Sequence, residues 1–138
     1  MTNEISIQIG GLLSALLGIG HCLFYSSFGW EQDFAQTRLL TAKILYTIHI
    51  FLTPMFFFFA YLSFFHSAEL AGGTPLGVSV TTFYAAFWLL RGIWQIVYFR
   101  PTQIKGFERL LPLHYFLCVY FVGLWLAYSL PLLNHFRH

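Results

Sequence analysis

Charged side chains are scarce in this sequence. They make up 9% of its 138 residues, where a soluble domain carries about 25%. A surface built from so few charges cannot be turned mostly to water. The net charge of +2 is small. No basic run interleaved with aromatics occurs, and nucleic acid is excluded as a partner on both grounds. Only two cysteines are present, Cys22 and Cys118. Both fall inside apolar stretches, so they build no secreted disulfide framework. The residues before the first apolar stretch contain Glu4 and no Lys or Arg. A cleaved signal needs a basic start, so that stretch is expected to remain as a helix.

Carboxylates are missing from one place in particular. Glu4, Glu31, Asp33, Glu69 and Glu108 all lie at the ends of the apolar stretches or between them. Absent too are CxxC, HExxH, GxSxG and Gly-rich phosphate loops, so no standard metal-binding or nucleophilic motif is available. No repeat relates the two halves, as an inverted-repeat transporter would require. With no filter-like sequence and only four helices, a channel is not expected either.

What the chain has is hydrophobic residues at 58%, with aromatics at 21% and 17 Phe. They gather into four stretches, about 5–24, 39–65, 78–99 and 110–133. Each is roughly 20 residues or longer, and at 1.5 Å per residue that crosses a hydrocarbon core of about 30 Å. Inside lipid the backbone must satisfy its own hydrogen bonds, which leaves helices or closed barrels. Unbroken apolar runs without period-2 alternation select helices. The expected fold is an all-α membrane protein: an antiparallel bundle of four transmembrane helices, one domain over 1–138. Short connections favour neighbouring antiparallel spans. The connection 26–38 is polar and carries Glu31 and Asp33, the connection 66–75 contains Gly72, Gly73 and Pro75, and Arg100-Pro101 suits a helix end.

Lys and Arg set the expected orientation. Arg38, Lys43, Arg100, Lys105 and Arg109 flank the first and third connections, whereas the opposite side has Arg137 alone. The first and third connections are therefore expected in the cytoplasm and both termini outside. Trp30 and Tyr98 stand where a cytoplasmic-side aromatic belt belongs.

Within the spans, small residues recur every four positions in the first: Gly10, Ser14, Gly18 and Cys22. That spacing forms one face and lets another backbone approach closely. Its partner is another helix of this chain or, through Gly10, Ser14 and Gly18, a second copy or membrane-complex partner. Pro54 predicts a kink, with Thr53 placed to satisfy a freed carbonyl. Pro112 suits a first helical turn, and Pro131 is expected to end the last span.

Polar groups collect in the cytoplasmic half of the spans. Arg91 lies about eight residues, or 12 Å, from the end of the third. Tyr84, Trp88, Arg91, Gln95 and Tyr98 follow a 4-3-4-3 spacing and share its face. His21, then Lys43, Tyr46 and His49, then His114 with Cys118 one turn on, bring a polar residue from every other span. Ionisable groups inside membranes mark functional sites by default. With no carboxylate at that depth, Arg91 suits an anionic group, which its planar fork can grip by two parallel bonds. The expected site is lined by Arg91, Gln95, Trp88, Tyr84, Lys43, Tyr46 and His49. It would bind an anionic amphipathic ligand: a lipid, a quinone or haem. Haem would use His21, His49 or His114 as iron ligands, with Arg91 or Lys43 toward the propionates. A metal site drawn from His114, Cys118, His21 and Cys22 lacks any recognised motif, and no metal is expected. Two other roles fit the same residues: an accessory subunit of a membrane complex, or a small membrane enzyme using His49 or His114 as acid or base.

Overall fold

A computed structural model describes residues 2–99 and 107–137 of the chain. Each apolar stretch becomes one long helix. The first, α1 (Asn3–Ser27), begins where the Thr2 hydroxyl accepts from the Ile5 N–H. A short helix, α2 (Trp30–Gln36), follows the left-handed turn at Gly29. Next come α3 (Leu39–Phe65) and a second short helix, α4 (Ser67–Ala71). The third long helix, α5 (Pro75–Val97), starts three residues before the apolar run itself, because Thr74 caps it and Pro75 fits its first turn. A 3₁₀ turn (Phe107–Leu110) leads into α6 (Leu111–His135), with Pro112 in its first turn. No strand occurs among the described residues. The four long helices are long and apolar enough to cross a membrane, and the chain is a multi-pass membrane protein. Arg100 and Lys105 of the basic third connection lie outside the described residues.

Contacts between helix ends give the direction of each. Asn134 near the end of α6 bonds Asn3 at the start of α1, and His21 late in α1 stacks on His49 early in α3. Gln95 late in α5 meets His114 early in α6. The arrangement is therefore up-down-up-down. We call the end where α1 turns into α3 the basic end, after Arg38 and Lys43. Helix α1 runs close along α3 and α6, and α5 close along α6. Between α3 and α5 the gap is filled by rings: Phe59 meets Tyr84 at 4.3 Å and Phe87 at 5.4 Å, and Phe56 stacks on Trp88.

The close seams of α1 depend on its small residues. A Cβ on Gly10 would lie 2.6 Å from the Tyr128 ring, and one on Gly11 would lie 2.7 Å from the Cβ of Ser63. One on Gly18 would meet the Phe57 ring at 3.0 Å. Gly10, Ser14 and Gly18 are buried, and the contacts they permit are made with α3 and α6 of the same chain. Cys22, next along the stripe, is exposed. Outward faces carry Phe51, Phe65, Val119 and similar apolar residues, which is what lipid requires.

The two internal prolines behave differently from the sequence-based expectation. Helix α6 does not end at Pro131 but continues to His135. A proline at 131 removes the donor that the Ala127 carbonyl would receive. The Ser6 hydroxyl supplies it instead, at 2.7 Å from α1. Pro54 deprives the Ile50 carbonyl, yet Thr53 donates to the His49 carbonyl at 2.9 Å, one residue too early to close that gap. The connection read as polar, 26–38, holds α2, whose Trp30 and Phe34 lie one turn apart on one face. Trp30 packs edge-on against His49 at 4.9 Å.

Two changes test this packing. Ser6→Ala should cost about 1–3 kcal/mol, the range for a buried carbonyl left unmatched, and lower the thermal midpoint in detergent. Gly18→Leu should cost about 1–3 kcal/mol by overpacking the α1–α3 seam. A midpoint that both variants leave unmoved contradicts the seams described.

Candidate ligand site at the basic end

Near the basic end every long helix contributes a polar side chain to one layer. Helix α1 brings His21, α3 brings His49, α5 brings Arg91 and Gln95, and α6 brings His114 and Cys118. The His21 and His49 rings stack with centroids 5.4 Å apart and planes at 14°. Arg91 packs on α6. Its guanidinium carbon sits 4.4 Å above the Phe121 ring. Gln95, which is 1% exposed, has its amide nitrogen 3.0 Å from His114 Nδ1. Cys118 Sγ lies 3.7 Å from His114 Nε2.

Donors outnumber acceptors along this side of α5. The Tyr84 hydroxyl, Trp88 Nε1 and Arg91 Nη1 are all buried, and among the described residues no protein group is in hydrogen-bonding geometry with them. They recur at 4-3 spacing, on the face expected from the sequence. Tyr84, Trp88 and Gln95 are buried there, with Arg91 half-buried. Tyr98 leaves that face: it is exposed and stacks on Trp94. The Arg91 case matters most, since a guanidinium carries its charge at any accessible pH. No Asp or Glu lies within the spans at this depth. The cation–π contact with Phe121 stabilises the charge in part, while Nη1 keeps its need for an acceptor.

Lys43 and Tyr46 lie elsewhere. Both are exposed, and with Tyr25, Phe34 and Ala42 they line a shallow hollow of about 200 Å³. They face the α1–α2 corner, and the Tyr46 ring packs against Tyr25.

A second, larger recess of about 480 Å³ opens beside the layer, between α1, α2 and α3. His21 and His49 form one wall, Phe24, Trp30 and Phe34 supply rings, and Asp33 of α2 is part of the lining. Leu45 and Ile48 continue from it into the exposed apolar face of α3. This volume lies within the range of small-molecule sites, about 300–1,000 Å³. His21 Nδ1 is buried; the Leu17 carbonyl lies near it but outside hydrogen-bonding geometry. His21 therefore belongs both to the wall of the recess and to the polar layer at the basic end. Phe24, Trp30, Asp33 and Phe34 are site residues that the sequence reading does not include. The available signal was the one-turn spacing of Trp30 and Phe34 in a connection read only as polar.

His21 and His49 are not set as a bis-histidine haem pair, which needs two imidazoles end-on from opposite faces of a macrocycle. They stack face to face, with Phe24 at 4.4 Å and Phe56 at 4.7 Å from His21. His114 Nδ1 lies within hydrogen-bonding distance of the Gln95 amide. Among the described residues, no three His, Cys, Asp or Glu side chains group to hold a metal. Comparison with protein-family models, curated proteins and solved structures finds no significant match.

Proposed function

We propose that this multi-pass membrane protein binds an amphipathic molecule whose polar head carries hydrogen-bond acceptors. The head rests against His21 and His49 with an acceptor directed past them toward Arg91, and the apolar body occupies the recess between α1, α2 and α3. One observation carries this reading: Arg91 Nη1 is desolvated without an acceptor, in a layer that contains donors and no carboxylate. A desolvated, unpaired cation inside a membrane is expensive, and a ligand acceptor is the group that relieves it. The lysine and arginine asymmetry supports an orientation with this layer on the cytoplasmic side and both termini outside.

Arg91→Met is the test. It keeps the apolar stem and removes the fork. Protein purified in mild detergent should carry an added mass in native mass spectrometry, and the variant should lose it. Removing an unpaired buried charge is neutral or stabilising, so the variant freed of ligand should melt no lower than the wild type freed of ligand. An Arg91→Met protein that loses several kcal/mol of stability while the wild type carries no added mass would make Arg91 a helix tie and overturn the reading. The orientation has its own check. In intact cells a C-terminal tag should be cleaved by added protease, and a protected tag would reverse the topology.

A further inference from the structure

We infer that the molecule held in the recess is a neutral, planar ring with carbonyl acceptors and an apolar tail: a quinone-type compound rather than a fatty acid or phospholipid. This deepens the ligand-binding reading above and rests on it. Three features select the class. The first is charge at the two ends of the recess. Asp33 is the single formally charged residue in the lining. A carboxylate or phosphate head entering past Asp33 meets like charge, which is unfavourable. At the inner wall stand the imidazoles of His21 and His49, and a neutral imidazole offers an N–H to a carbonyl. A neutral head with its carbonyl directed inward avoids the repulsion at Asp33.

The second feature is shape. The walls are flat rings at similar tilts: His49 lies 14° from His21 and 23° from Phe24, with Trp30 set edge-on to His49 at 4.9 Å. Aromatic rings pack in offset-stacked or edge-to-face arrangements, and such walls accept a planar ring more readily than a branched headgroup. The third is hydrogen bonding. Among the described residues, no protein group bonds the buried Nδ1 of His21, and the His49 ring, stacked on His21, faces the recess. A neutral imidazole has one N–H to donate to a carbonyl. The tail leaves over Leu45 and Ile48 toward the lipid-facing side of α3. The proposal concerns binding and includes no electron transfer.

The test compares two probes with the same tail, decyl-benzoquinone and decanoate, titrated into the detergent-solubilised full chain. Binding is read by calorimetry and by quenching of tryptophan fluorescence, with Trp30→Phe identifying the Trp30 contribution. The quinone should bind saturably and at least about tenfold more tightly than decanoate. His49→Leu should weaken it about tenfold, the worth of one hydrogen bond. Ile48→Trp, at an exposed position on the rim, should block it while leaving the helices intact, and it serves if His49→Leu does not fold. Decanoate binding as tightly as the quinone, or more so, and lost in Arg91→Met would overturn the neutral ring and leave the acceptor-binding reading standing. Equal partitioning of both probes, indifferent to His49→Leu and Ile48→Trp, overturns the assignment of the recess. No saturable binding of either probe, together with no added mass on the purified protein, overturns both readings.

Discussion

A backbone carbonyl without a donor inside hydrocarbon costs several kcal/mol, and the interior of this bundle is organised around that cost. The proline at 131 creates such a carbonyl at Ala127, and Ser6 reaches across from α1 to satisfy it. The Tyr120 hydroxyl donates to the Leu13 carbonyl, and Thr81 donates to the Leu70 carbonyl at the end of α4. Each bond joins two helices that apolar packing alone would leave free to slide, because lipid tails are as apolar as leucine. Tyr128 is the centre of this set. Its hydroxyl lies 2.8 Å from Ser63 Oγ and 3.5 Å from Ser14 Oγ, while its ring covers Gly10 and meets Tyr84 edge-on at 5.0 Å. One residue thereby contacts all three of the other long helices.

The two halves of the bundle differ in how this accounting closes. Away from the basic end, hydroxyls meet hydroxyls or carbonyls, with Tyr84 the exception. A layer of Phe56, Trp88 and Phe121 then crosses the interior, its rings stacked at 5.7 Å and 6.0 Å. Beyond it, at the basic end, the groups are stronger and less well matched: a guanidinium and two stacked imidazoles, with no carboxylate supplied by the spans. The buried groups without a protein partner among the described residues run from Tyr84 through Trp88 to Arg91 and His21, and His21 alone of them lines the larger recess. The aromatic layer separates the polar layer at the basic end from the hydroxyl cluster.

The four spans were legible because twenty-residue apolar runs leave the backbone few choices. The face Tyr84–Trp88–Arg91–Gln95 was legible for a similar reason: helical spacing fixes which side chains are neighbours along one helix. What one helix meets on another is set by rotation and by seam width, and spacing does not encode these. Lys43 and Tyr46 were placed with Arg91 on depth alone, yet the rotation of α3 carries them outward while His49 turns in. The Ser6–Ala127 bond and the Tyr128 cluster depend on pairing distant in the chain, for which a hydroxyl in an apolar run was only a weak signal. Trp30 and Phe34 were hidden by polar neighbours, and their one-turn spacing, on a helix of two turns, was easily read as loop. Pro131 was read as a terminus because the donor that rescues it comes from the other end of the chain.

The most direct measurement is an experimental density map of the protein taken from its native membrane in mild conditions, at a resolution that separates side chains around Arg91. The account predicts non-protein density in the recess between α1, α2 and α3, with its polar end at His21 and His49 and Arg91 behind them. A map in which α2 and the end of α1 close over an empty recess, and Arg91 donates to backbone carbonyls with both arms of its fork, would contradict it.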